Sequence, residues 1–175
     1  MRPVLDEIRK RLGAYIYAID ADSIEQVVVR TLIEKGLHVA TAESCTAGLI
    51  AKRLTDIPGA SAVFDCGFVT YSNDCKQKML GVSPETLRRY GAVSEQTAGE
   101  MAAGALARSG ADIAVAVTGV AGPGCSEKKP AGLVFISTAD QSGVQTVRLE
   151  TGRDDRDYNR YVTASRALHL VLQRI

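Results

Sequence analysis

No block of about five or more like charges, no proline-rich block and no apolar stretch reaching the about 18 residues of a membrane span occurs in this 175-residue sequence. Disorder and membrane insertion are thereby excluded as themes. Lysine and arginine total 21 against 20 aspartate and glutamate, a net charge of +1, so no broad field draws the chain onto DNA, RNA or an acidic membrane surface. Met1-Arg2-Pro3 leads into charged residues, with no apolar signal-peptide core, and the expected location is the cytoplasm. The four cysteines, Cys45, Cys66, Cys75 and Cys125, form no CxxC pair and no disulfide-rich spacing. Reduced thiols fit that pattern better than a disulfide framework or a zinc site. With only two histidines, His38 in an apolar strand and His169 in the last helical segment, a Ser-His-Asp triad has poor support. GxxxxGK[ST] is absent and the glycine-dense stretch opens no helix, which excludes the P-loop and the dinucleotide fingerprint. No internal repeat is found.

What is present, 46% hydrophobic and 23% charged residues, describes one globular domain with a sizeable core. Residues 3–17 carry Val4, Leu5, Ile8 and Leu12 at helical spacing, and Ile19-Asp20-Ala21-Asp22-Ser23 follows as a linker. A helix from Ser23 to Gly36 is predicted by Ile24, Val27, Val28, Leu32 and Ile33. Strands are expected at residues 37–41, 63–71 and 113–118, and a hairpin over residues 132–138 and 144–149. Helices are expected at residues 46–54, 75–80, 83–90, from 94 onward, and at 155–172. In the helix after Ser94, Ala98, Met101, Ala102, Ala105 and Leu106 repeat on one face, a sign of close packing. Alternating helices and strands with a terminal hairpin predict a three-layer α/β/α sandwich around a mixed, mostly parallel sheet. Residues 1–22 form an N-terminal helical extension and residues 23–175 the main domain; a homo-oligomer contact through that extension is one expectation.

The stretch Val39-Ala40-Thr41-Ala42-Glu43-Ser44-Cys45-Thr46-Ala47-Gly48 reads as strand, sharp turn and helix start. Ser44, Cys45 and Thr46 fall where unpaired N–H groups would receive an anion or a developing oxyanion; simple helix capping explains the same residues. If Ser44 attacks a substrate, Lys76 is a better base than either histidine. Tyr71, Asn73 and Lys76 follow the end of one strand and Ser44 the end of another, so one rim of a sheet can gather them. Lys76 would need partial desolvation to be neutral; an ordinary surface lysine is the competing reading. Cys45 is a rival nucleophile or a small buried hydrophobe. A strand also empties into Gly119-Val120-Ala121-Gly122-Pro123-Gly124. Its N–H groups, with Lys128 and Lys129 near, are suited to cradle a phosphate or carboxylate, or form only a hairpin lead-in.

Five ordered motifs carry a resemblance: Thr41-Ala42-Glu43-Ser44-Cys45-Thr46-Ala47-Gly48; Gly67-Phe68-Val69-Thr70-Tyr71-Ser72-Asn73 with Lys76; Gly91-Ala92-Val93-Ser94-Glu95; Thr118-Gly119-Val120-Ala121-Gly122-Pro123; and Lys129-Pro130-Ala131-Gly132. Over residues 23–172 the chain resembles the C-terminal domain family of the competence/damage-inducible protein CinA. Its length resembles that of stand-alone members, without the preceding molybdopterin-binding-like domain. The resemblance implies nicotinamide mononucleotide deamidase activity, with a Ser–Lys amidase centre at Ser44 and Lys76, Tyr71 close to them, and no metal or cofactor. It extends substrate binding to Glu43, Cys45, Thr46, Gly48, Asn73, Gly119, Gly122 and Arg156. A non-catalytic nucleotide-binding or competence-associated role is the alternative. Two segments depart from the family pattern: Gly124-Cys125-Ser126 is one residue short of the usual glycine-paired loop, and Asp154-Asp155-Arg156 stands in place of Gly-Asp-Arg.

Overall fold

The structure, a computed structural model, describes residues 2–13, 16–17 and 23–175. A first helix, α1 (Arg2–Leu12), lies where helical spacing was read in residues 3–17; residues 19–22 of the expected linker lie outside the described residues. The main domain then runs α2 (Ile24–Lys35), β1 (Val39–Glu43), α3 (Leu49–Thr55), a 3-10 turn (Ala60–Ala62), β2 (Phe64–Val69), α4 (Asn73–Leu80), α5 (Pro84–Tyr90), α6 (Glu95–Ser109), β3 (Ile113–Gly119), β4 (Leu133–Asp140), β5 (Gly143–Glu150) and α7 (Arg156–Arg174).

Serine chemistry sets most of the helix starts. Ser23, Ser72, Ser83 and Ser94 each accept a main-chain N–H of the first turn that follows, satisfying donors with no helical carbonyl. Glycines in left-handed conformation close α2, α4 and α6 at Gly36, Gly81 and Gly110.

The strands form one sheet in the order β2-β1-β3-β4-β5. β1 pairs in parallel with β2 and β3, while β3–β4 and β4–β5 are antiparallel. Four of the five strands therefore point the same way, yet the pairings divide evenly. The two faces differ in size of side chain. Val39, Ile113, Val115 and Val117 join Ile24, Val28, Leu32, Ala164, Leu168 and Val171 in the core under α2 and α7. Ala40, Ala42, Ala114 and Ala116 face the other way, toward Met101, Ala102 and Ala105 of α6. Alanine against alanine brings α6 close to the sheet, and Gly104 continues the fit: a Cβ there would lie 1.9 Å from the Leu80 carbonyl oxygen. Among the described residues no helix is long and apolar enough to cross a membrane.

Parallel pairing aligns the strand ends. Glu43 at the end of β1 is opposite Val69 of β2 and Val117 of β3, so the turns that follow all three strands emerge along one edge, where open α/β sheets carry their sites.

Candidate active site

Ser44 is the first residue after β1, and its N–H donates to the Val117 carbonyl (3.1 Å). The following residues turn without forming helix: Ala47 has φ +50° and Gly48 φ +89°, and α3 begins only at Leu49. This corrects the expected helix start at Thr46. It also corrects the role expected of Glu43. That side chain is fully buried, and its two oxygens accept the N–H groups of Ile50 (3.1 Å) and Ala51 (2.9 Å). Glu43 therefore caps α3 from seven and eight residues upstream, filling two first-turn donors of that helix. Among the described residues, the N–H groups of Cys45 and Thr46 in the turn itself meet no carbonyl.

Lys76 lies in α4, whose start is fixed by Ser72 accepting the Cys75 N–H (3.1 Å). Its side chain folds back toward the end of β2 and is 1% exposed. Nζ lies 3.0 Å from Ser44 Oγ, 2.8 Å from the Thr70 carbonyl oxygen and 3.4 Å from that of Tyr71. Burial holds the Lys76 amine below the usual lysine range; the nearby Cys45, Glu127 and Cys75 pull in the opposite direction without restoring it. The surface-lysine alternative is thus incompatible with the geometry. Burial likewise pushes the Cys45 thiol up to about 12, so at neutral pH it is a protonated, inert thiol.

Ser44, Cys45, Tyr71, Asn73 and Lys76 share a cavity of about 290 Å³ with Gly119, Gly122 and Arg156. Gly119 is required by close strand approach, since a Cβ there would lie 2.7 Å from the Leu133 carbonyl oxygen and 2.8 Å from Val134 Cα. Its bare main chain becomes cavity wall. Arg156 donates to the Gly122 carbonyl (3.0 Å) and to the Tyr71 hydroxyl (3.3 Å). Tyr71 is 57% exposed; its carbonyl, and not burial against its ring, is what meets Lys76.

Three expected contact residues are elsewhere. Besides Glu43, Thr46 and Gly48 do not line the cavity: Thr46 is buried with its carbonyl accepting from Arg160 (2.8 Å), and Gly48 supplies the left-handed turn before α3. Lys128 and Lys129 are not cavity cations either, because Lys129 donates to the Tyr90 carbonyl (3.0 Å) and faces a neighbouring cleft. Sequence reasoning passed over Thr118, Ala92, Val93, Ser126 and Glu127, all of which line the cavity. For Ala92, Val93 and Thr118 the signal was present in the motifs Gly91 to Glu95 and Thr118 to Pro123. The two segments that depart from the family pattern meet one another: Asp154 accepts the Gly124 N–H (2.6 Å), and Asp155 caps α7 through the Tyr158 N–H (3.0 Å). Among the described residues no three His, Cys, Asp or Glu side chains gather as a metal site.

Residues 21–175 match the CinA C-terminal domain. A putative competence-damage inducible protein of Caldicellulosiruptor saccharolyticus is 52% identical over 158 residues, 87% of this chain and 38% of its own length. A CinA-like protein of Chloroherpeton thalassium is 56% identical over 137 residues, 78% of this chain and 33% of its own. The chain thus spans well under half the length of these curated relatives. Among solved structures, the competence/damage inducible protein CihA of Agrobacterium tumefaciens is 49% identical, with a TM-score of 0.81, over 89% of this chain and 98% of its own. A CinA superfamily protein of Escherichia coli is 34% identical with a TM-score of 0.83, over 94% and 98%.

Proposed function

Because the chain belongs to the CinA C-terminal domain family, we propose that it is an amidohydrolase that converts nicotinamide mononucleotide and water to nicotinic acid mononucleotide and ammonia through Ser44 and Lys76. The observation that carries this reading is the 3.0 Å contact between Ser44 Oγ and the buried Lys76 Nζ, in the wall of a cavity. A serine hydroxyl is a weak nucleophile until a base accepts its proton. Lysine performs that task only when desolvation lowers its pKa, and burial acts on Lys76 in that direction.

In the proposed reaction neutral Lys76 takes the Ser44 proton as Oγ attacks the carboxamide carbon. The developing oxyanion is received by turn N–H donors beside the nucleophile; Cys45 lines the cavity and its N–H is the nearest in sequence. Lys76 then returns the proton to the departing amine, which leaves as ammonia. Water, deprotonated by the same amine, attacks the acyl-serine ester, and collapse frees the carboxylate and restores the Ser44 hydroxyl. Arg156, with the Gly119–Gly124 main chain, is the proposed anchor for the nucleotide phosphate.

Ammonia release from nicotinamide mononucleotide by the purified protein, measured beside Ser44→Ala, tests the proposal. Turnover abolished by the substitution is the expected result. Binding of the nucleotide without any ammonia release would leave a binding module in place of an enzyme.

A further inference from the structure

Glu127 is built into the cavity at a conformational cost. Ser126 and Lys129 exchange main-chain hydrogen bonds (3.1 and 2.8 Å) around Glu127 and Lys128, whose φ angles are +53° and +59°. A two-residue turn with both central residues left-handed favours Asn-Gly, and glutamate and lysine are poorly suited to it. What the turn secures is the position of one carboxylate. Its oxygens accept the N–H groups of Ala92 (3.1 Å) and Val93 (3.3 Å), with Lys129 Nζ at 3.4 Å. Gly91 leaves the space for it, since a Cβ at residue 91 would lie 2.5 Å from Glu127 Oε2.

The resulting charge arrangement is directional. Glu127 lines the cavity whereas Lys129 lines the cleft on the other side, so the pair presents its negative end to the cavity. Among the described residues that line the cavity, Glu127 is the one acidic side chain, and it shares the wall with the Arg156 guanidinium and the Lys76 amine. Burial pushes its carboxyl upward, but the N–H groups of Val93 and Ala92 and the Lys129 ammonium outweigh that and hold it below the usual carboxylate range. It remains ionised at neutral pH, and 34% of the side chain stays open.

A neutral amide with a phosphate needs no carboxylate in its pocket; a phosphate would be repelled by one. An N-glycosylated pyridinium is different, because its ring carries a positive charge several bonds from the phosphate. We propose that Glu127 is the recognition subsite for the cationic ring, which makes the cavity selective for oxidised, pyridinium-form nucleotides over their neutral dihydropyridine counterparts. This rests on the nicotinamide nucleotide reading above. It assigns the cavity two opposite electrostatic ends, Arg156 for the phosphate and Glu127 for the ring.

The test is equilibrium binding by calorimetry at low salt, using nicotinamide mononucleotide and its 1,4-dihydro form, which share carboxamide, ribose and phosphate and differ in ring charge. Both are titrated into Ser44→Ala protein, to prevent turnover, and into Ser44→Ala/Glu127→Gln. The oxidised form should bind on the order of tenfold tighter than the reduced form to the first protein, as expected for a partly screened charge pair. In the second that preference should collapse toward unity, through loss of affinity for the oxidised form alone. A preference that survives Glu127→Gln overturns the proposal, and so does equal weakening of both ligands, which a purely structural turn would produce. Absence of binding by either nucleotide also overturns it. Failure of the amidase reading is separately visible: wild-type protein that binds the oxidised nucleotide selectively but releases no ammonia keeps the charge subsite and loses the reaction.

Discussion

Arg156 and Tyr71, 85 residues apart in sequence, meet at 3.3 Å on the wall of the cavity. One is the first residue of α7 and the other lies between β2 and α4, so the contact ties the last helix to the segment that leads into the helix carrying Lys76. The same guanidinium holds the Gly122 carbonyl. A single cation thereby fixes two cavity segments while carrying the charge proposed to meet the phosphate.

Removing that cation should separate binding from chemistry. Arg156→Ala is expected to raise KM for the mononucleotide by on the order of ten- to a hundredfold, the range for losing a charge-assisted contact, with a smaller loss in kcat. Wild-type protein should strongly prefer the mononucleotide over free nicotinamide. Equal kcat/KM on the two compounds would remove phosphate anchoring from the account.

Serine and cysteine adjoin in the turn, and the proposed reaction gives them different tasks. Cys45, raised to about 12 by burial, carries a negligible thiolate fraction at pH 7. Alkylating reagents that label Cys125 should leave Cys45 unmodified, and Cys45→Ala should retain turnover within about tenfold. Ser44→Ala should lower kcat by at least about a thousandfold. The reverse ranking in a steady-state assay would transfer the nucleophile to sulfur.

For Lys76 the pH dependence has a definite sign. Its folded-state pKa is lowered by burial, so kcat/KM should rise with pH through an apparent pKa below that of a free lysine, about 10.4. Lys76→Arg, which cannot release a proton, should be inactive. Stability follows the same proton. Between the lowered folded value and the unfolded value the unfolded chain binds more protons, so wild type should gain stability relative to Lys76→Met as pH rises through that window. Denaturation midpoints that diverge in the opposite direction would contradict a depressed amine.

Glu43 gives a stability prediction. Its carboxylate satisfies two first-turn donors of α3 from within the core, and Glu43→Gln can accept from only one of them through its amide oxygen. A loss of about 1–3 kcal/mol is expected, measurable in urea denaturation at constant m-value. An unchanged midpoint would mean that the cap contributes nothing.

The sequence disclosed contacts that are local or periodic. The strand at residues 113–118 and the helix from Ser23 to Gly36 were readable because their signals act within a few residues. Ser44 and Lys76 could be brought to one rim from strand ends alone. Glu43 could not be separated from its neighbours in this way: its partners lie beyond a left-handed turn whose φ values at Ala47 and Gly48 no spacing rule announces. Glu127 was hidden for a related reason. Its partners, 34 and 35 residues away, are main-chain groups, which leave no side-chain pattern, and the adjacent lysines drew attention to charge of the wrong sign.

The three oxygen atoms around Lys76 Nζ also bear on how the proposed centre would reset. A neutral amine has two N–H donors and one lone pair, matching the carbonyls of Thr70 and Tyr71 and the hydroxyl proton of Ser44. An ammonium has three donors, and the same three oxygens accept them. Proton gain and loss would therefore pass between two fully bonded states with no heavy atom displaced, without the reorganisation that water imposes on a titrating amine. Structures determined above and below the apparent pKa should superpose at Ser44, Thr70, Tyr71 and Lys76; a lysine that swings away when charged would show that the relay has to be rebuilt in every cycle.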